Sequence, residues 1–144
     1  MTVERIEREH LVAVAELERL CFAEPWSEKA LELLLGELAT GFVCRRDGHI
    51  LAYGGMLIAP DEGQITNVAV HPDARRQGLG KTIVDALTEE ARARGLEQIS
   101  LEVRVSNQAA ITLYERTGFE VAGRRKSFYR RPTEDALVML KKIL

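Results

Sequence analysis

Between residues 99 and 105 the chain reads ISLEVRV, with Ile99, Leu101, Val103 and Val105 alternating with polar residues. A period of two is that of a strand with one buried face. QITNVAV (64–70) repeats the pattern, placing Ile65, Asn67 and Ala69 on one face and Thr66, Val68 and Val70 on the other. Elsewhere the period lengthens to that of a helix. Leu79, Ile83, Ala86, Leu87 and Ala91 predict an amphipathic helix over 79–94, with Gly95 as its stop. Leu11, Val14, Leu17 and Cys21 predict another over 9–21, broken by Pro25 and Trp26. Ser27 is placed to cap a helix running through LELLLGEL. Ser106 or Asn107 can cap one carrying Ala110, Leu113, Tyr114 and Thr117 on a common face, up to Gly118. Asp47-Gly48 joins two strands as a hairpin turn. Further strands are expected over 3–6, 120–126 and 136–141. The order β-α-α-β-β-β-α-β-α-β-β predicts an α/β fold, a mixed sheet with helices on both faces.

Composition adjusts this picture mainly by exclusion. With 144 residues, 46% hydrophobic and 29% charged, the chain is expected to form a single domain over 1–144 with its own core. A formal net charge of −2 argues against a surface that coats nucleic acid. The N-terminal MTVERIEREH is too charged for a signal peptide, and the longest apolar runs, LELLL and MLIA, are far short of a membrane span. Cys21 and Cys44 form no CxxC pair and read as small buried hydrophobes in a reducing compartment. A soluble, cytoplasmic protein is expected, with no membrane and no direct nucleic-acid partner.

Two places resist a purely structural reading. Glu102 sits mid-strand between Ser100 and Arg104, on the face opposite the apolar residues. It is either paired with same-face Arg104 or held there for chemistry. Tyr114, on the next helix, either packs its ring and leaves its hydroxyl wet or belongs to the same site. The second place is NVAVHPDARRQGLGKTIV, a strand, a loop and the start of a helix. A helix N-terminus carries unpaired N–H groups and partial positive charge, which together attract anions. Gly78 and Gly80 let the backbone approach a ligand, and Arg75, Arg76 and Lys81 add charge. A diphosphate fits that description. The spacing is neither a P-loop nor a dinucleotide fingerprint, and a solvated basic turn is the plainer alternative.

The segments AEPWSEKAL, ITNVAVHPDARRQGLG, LEVRVSNQAAITLYERTGF and RRKSFYRRPTEDALVML are spread along nearly the whole chain. In order and spacing they resemble the GCN5-related N-acetyltransferase (GNAT) family, and within it the bacterial enzymes that acetylate the N-terminal alanine of a ribosomal protein. The resemblance implies a central, mostly antiparallel mixed sheet in which two splayed strands bind acetyl-CoA, a cosubstrate needing no metal. It implies that Val68, Ala69 and Val70 hold the pantetheine arm, that Arg76, Gln77, Gly78, Leu79, Gly80 and Lys81 hold the pyrophosphate, and that Asn107 contacts the coenzyme. Glu102 matches the general base, acting directly or through water, and Tyr114 matches the acid that protonates the leaving sulfur. Trp26 and Tyr129 flank the acceptor's path. The implied partner is a protein with a free N-terminus, a small-subunit ribosomal protein.

Amine chemistry favours that acceptor. An α-amine, with a pKa of about 7.7–8, is roughly a tenth neutral at pH 7, whereas a lysine amine near about 10.4 is neutral to well under a thousandth. A lysine or small-amine acetyltransferase of the same fold, and a non-catalytic coenzyme-binding module, are the rival readings. Arg124, Arg125, Lys126, Arg130 and Arg131, interleaved with Phe128 and Tyr129, read as a charged hairpin bordering the site rather than an RNA patch. Glu134 and Asp135 either meet a basic substrate segment or are ordinary surface acids. His10, His49 and His71 show no metal spacing.

Overall fold

The computed structural model describes residues 1–144. Its elements are β1 (Thr2–Arg5), α1 (Leu11–Cys21), α2 (Glu28–Leu31), β2 (Ala39–Arg46), β3 (His49–Ile58), β4 (Glu62–Val70), α3 (Leu79–Ala93), β5 (Gln98–Arg104), α4 (Gln108–Arg116), β6 (Glu120–Tyr129) and β7 (Glu134–Lys142). The expected order of elements is the observed one. The second helix is shorter than LELLLGEL suggests. Ser27 Oγ does accept from the Ala30 N–H, but after one turn the chain tightens into a 3-10 segment, Glu32–Leu35, and ends at Gly36. Leu31 and Leu34 are the buried residues of this stretch and Leu35 packs partly against the same cluster, whereas Leu38, the next position at helical spacing, lies beyond Gly36 and is exposed.

All strands join one sheet in the order β1-β2-β3-β4-β5-β7-β6. Only β4 and β5 run parallel. On one face α1 and α2 bury Val14, Leu17, Leu31, Leu34, Val43 and Tyr53. On the other, α3 and α4 bury Ile83, Leu87, Ile99, Leu101 and Ile111. No helix is long and apolar enough to cross a membrane.

Two departures from a regular sheet shape the site. The first is a bulge in β4. Gly55 pairs with Asn67 and Met56 with Ile65, so Thr66 has no partner. One extra residue reverses the alternation beyond it. Ile65 therefore buries against the α3 side and Ala69 against the α1 side, not on a shared face as simple alternation predicts. The second is a splay. β4 and β5 pair only through Glu62–Gln98, Gly63–Ile99 and Gln64–Ser100, and then part. The Glu62 carboxylate fastens the closed end, accepting from Gln98 Nε2 (2.6 Å), Ser100 Oγ (2.9 Å) and Gln64 Nε2 (3.1 Å). Burial alone would raise its pKa, but these donors hold it below the ordinary value.

Candidate active site at the splayed strands

A cleft of about 570 Å³ opens on the α1 face at the splay. The loop after α1 supplies Phe22 and Trp26, β4 supplies Thr66 and Asn67, β5 supplies Glu102 and Arg104, and the β6–β7 hairpin supplies Tyr129. Glu102 reaches it because Ile99, Leu101 and Val103 bury toward α3 and leave the alternate position facing the other way. Its partner is not Arg104. Arg125 Nε of β6 stands 3.2 Å from Glu102 Oε2, with the Arg125 side chain 57% exposed. A pair so open to water is readily exchanged for another cation.

Arg104 organises the hairpin instead. Its guanidinium donates to the carbonyls of Pro132 and Arg130, both at 2.9 Å, and to Glu134 Oε1 at 3.1 Å. It also lies 4.4 Å from the centre of the Tyr129 ring. Glu134 further accepts from the Ser106 N–H (2.7 Å), and Asp135 accepts from Arg124 Nε (2.7 Å) and the Ser127 N–H (2.8 Å). Both acids are thus engaged within the protein, tying the hairpin to the end of β5 and closing the wide irregularity between Arg125 and Tyr129. Burial, then the charge on Glu102, pushes the Tyr129 hydroxyl up to about 12.

Tyr114 lies across the sheet from the cleft. It is buried on α4 among the α3-side residues, its ring edge-on to Phe119 at 5.6 Å. Burial, and then the neighbouring Tyr129, push its pKa well up.

At the open end of the splay stands the first turn of α3. Gly78, at φ 77°, takes the N-cap position with no side chain capping the turn. The Thr82 N–H bonds to the Gly78 carbonyl (3.1 Å), so the amides of residues 79–81 precede the helical ladder and point outward. Gly80 is needed for a different reason than ligand approach. A Cβ there would come 2.9 Å from Leu113 of α4, so the glycine lets the two helices touch. Of the flanking side chains, Gln77 Oε1 accepts from Arg46 (2.7 Å) and Lys81 pairs with Asp85 (2.7 Å), while Arg76 has no acidic partner. Uncapped amides, a free guanidinium and open space over Gly78 fit a phosphate-bearing ligand. Asn107 caps α4 by accepting from the Ala110 N–H (3.1 Å), leaving its amide nitrogen free at the cleft's edge.

The hydrophobic pattern did not reveal Glu18. It is 0% exposed on α1, and its carboxylate accepts from the Trp26 N–H (2.8 Å), from Asn67 Nδ2 (2.9 Å) and from the Tyr53 hydroxyl. Burial pushes its pKa up against the pull of these donors. A signal was present: Glu18 follows Leu11 by seven residues and Val14 by four, which puts an acid on the apolar stripe. Cys21 is half-buried rather than buried. It lines the cleft with Sγ 3.4 Å from the Val70 carbonyl, and burial raises its thiol. No group of three His, Cys, Asp or Glu side chains is placed to hold a metal ion.

A mostly antiparallel sheet with one splayed parallel pair, a strand carboxylate beside the gap and an uncapped glycine turn at its mouth define an acetyltransferase scaffold. The family model described as "Acetyltransferase (GNAT) family" matches residues 11–119, and the chain belongs to that family. Its relatives include the [ribosomal protein bS18]-alanine N-acetyltransferase of Escherichia coli (strain K12), 39% identical over 142 residues, 96% of this chain and 95% of the relative. The putative [ribosomal protein bS18]-alanine N-acetyltransferase of Bacillus subtilis (strain 168) is 38% identical over 139 residues, 95% of this chain and 92% of the relative. The crystal structure of the ribosomal-protein-S18-alanine N-acetyltransferase from Escherichia coli aligns with a TM-score of 0.91 at 38% identity, covering 99% of this chain and 93% of that one.

Proposed function

We propose that the protein acts in the cytoplasm, transferring the acetyl group of acetyl-CoA to the N-terminal α-amine of a protein, with ribosomal protein bS18 as the acceptor. The observation that carries this reading is the splay itself, with Glu102 on one side of the gap and the uncapped turn of α3 at its open end. The names of the relatives supply the acceptor.

The coenzyme supplies an acetyl thioester, and the chain's own residues do the rest. The amides at 79–81 and Arg76 hold phosphate oxygens, with Gln77, Gly78, Leu79, Gly80 and Lys81 forming the turn. The unpaired edge of β4 at Val68, Ala69 and Val70 offers backbone groups to an extended arm, and one N–H there steadies charge developing on the carbonyl oxygen. Asn107 offers its amide nitrogen to the same ligand. The acceptor enters between Trp26 and Tyr129. Its ammonium competes with Arg125 for Glu102, whose carboxylate then takes the proton, directly or through a water. The freed amine attacks the thioester carbon, and the carbon–sulfur bond breaks as the amide forms. Tyr114, on the α3 side of the gap through which the arm passes and protonated at neutral pH as a tyrosine ordinarily is, returns a proton to the departing sulfur.

The test pairs two peptides matching the bS18 N-terminus, one with a free α-amine and one with that amine blocked and a lysine available. Acetyl-CoA-dependent transfer to the free peptide alone is expected. Transfer confined to the lysine of the blocked peptide, or thiol release with neither, would overturn the assignment.

A further inference from the structure

Glu18 is the one acidic residue of the chain in the fully buried class, and the proton relay does not use it. An apolar side chain of similar size could seal the same corner without the cost of desolvating a carboxyl. What a carboxylate does there, and an apolar group cannot, is to accept from three donors at once. Those donors come from three separate pieces of chain: the Trp26 backbone in the loop after α1, Tyr53 in β3 and Asn67 in β4. Two of the three pieces form the cleft wall, since Trp26 and Asn67 both line it. Asn67 also sits next to the bulged Thr66, whose buried Oγ1 has no hydrogen-bond partner. The bulge therefore takes its side-chain anchor from Asn67, and Asn67 takes its own from Glu18.

We infer that Glu18 is a positioning residue for the acceptor side of the site: its buried carboxylate ties the Trp26 loop to the β4 bulge and so sets the width of the channel that admits the acceptor's N-terminus. Tyr53 holds the carboxylate from below, so that neither wall shifts without the other. The coenzyme turn at α3 lies outside this network. This inference rests on the cleft being the acceptor site.

Trp26 is the only tryptophan, so intrinsic fluorescence reports its loop directly. Glu18→Gln keeps the shape but turns a three-way acceptor into a group with two donors of its own. It is expected to raise the KM for the acceptor peptide about tenfold, leave the KM for acetyl-CoA within about twofold, and red-shift Trp26 emission with easier acrylamide quenching. Tyr53→Phe removes one donor, keeps the charge and serves if the first variant does not fold; a rise of about threefold in acceptor KM is expected. Equal rises in both KM values, or an unchanged acceptor KM, overturns the inference. Trp26→Ala separates it from the reading beneath it. If that variant leaves acceptor KM unchanged, the cleft is not the acceptor site; if it raises acceptor KM while Glu18→Gln does not, only the role of Glu18 fails.

Discussion

The two sides of the splay are built differently. From β2 to β4 the sheet is covered on both faces, by α1 and α2 on one and α3 on the other, and Val14, Val43, Ala52 and Leu87 have no exposed surface. Beyond it, β6 is an edge strand exposed along nearly its whole length, held by Arg124–Asp135 and Arg125–Glu102, while Arg104–Glu134 ties β7 to β5. Packing fixes the first side to within a methyl group. Charges and backbone hydrogen bonds fix the second, and these exchange with solvent and with an arriving peptide. The contrast suits an enzyme that must hold a coenzyme steadily and admit a protein terminus: the rigid half carries the glycine turn, and the adjustable half carries Tyr129 and the cover over Glu102.

Breaking the packed side should cost most in stability. Leu87→Ala removes a fully buried side chain from α3 and is expected to cost about 2–5 kcal/mol in urea unfolding. Loss below about 0.5 kcal/mol would mean that the α3 face is not the close-packed one. The hairpin should behave in the opposite way. Arg104→Met removes the donor to Pro132, Arg130 and Glu134, and is expected to lower kcat/KM for the acceptor about tenfold while the urea midpoint moves little. A large midpoint shift with acceptor kinetics intact would erase the distinction between the halves. The smallest effect is expected at the seam. The folded-state pKa of Glu62 lies below its ordinary 4.5, so its stabilising contribution is present above that value and fades as the pH falls through the lowered one. Glu62→Gln should flatten the loss of stability on acidification below pH 4.5, and an unchanged acid-melting profile would show that the seam does not depend on this carboxylate.

The same contrast explains what could be read from the residues alone. Leu79, Ile83, Leu87 and Ala91 face a core, and their spacing announced the helix that the structure shows. Ile99, Leu101 and Val103 did the same for β5, and so picked out Glu102 as the residue facing away. Periodicity failed where a local device overrides it. The bulge at Thr66 shifts the phase of β4 with no mark in β4 itself; its one trace is Gly55 on the neighbouring strand, where a Cβ would come 2.7 Å from Thr66 Oγ1. Partners of charged side chains were equally hidden: adjacency suggested Glu102 with Arg104, but register across β5, β7 and β6 brings Arg125 to Glu102 and Glu134 to Arg104. Glu18 was legible in principle, an acid on an apolar stripe, but its three donors are 8, 35 and 49 residues away. Long-range polar contacts of that kind follow from the fold and not from any window of sequence.

The central claim is that Glu102 receives the acceptor's proton at the splay. Glu102→Gln, kept isosteric, tests it when acetyl transfer to the free-amine peptide is measured beside calorimetric binding of acetyl-CoA. The expected result is a fall in kcat of about 10²–10⁴-fold with coenzyme affinity unchanged. Transfer at close to the wild-type rate, with the coenzyme bound as before, would contradict it.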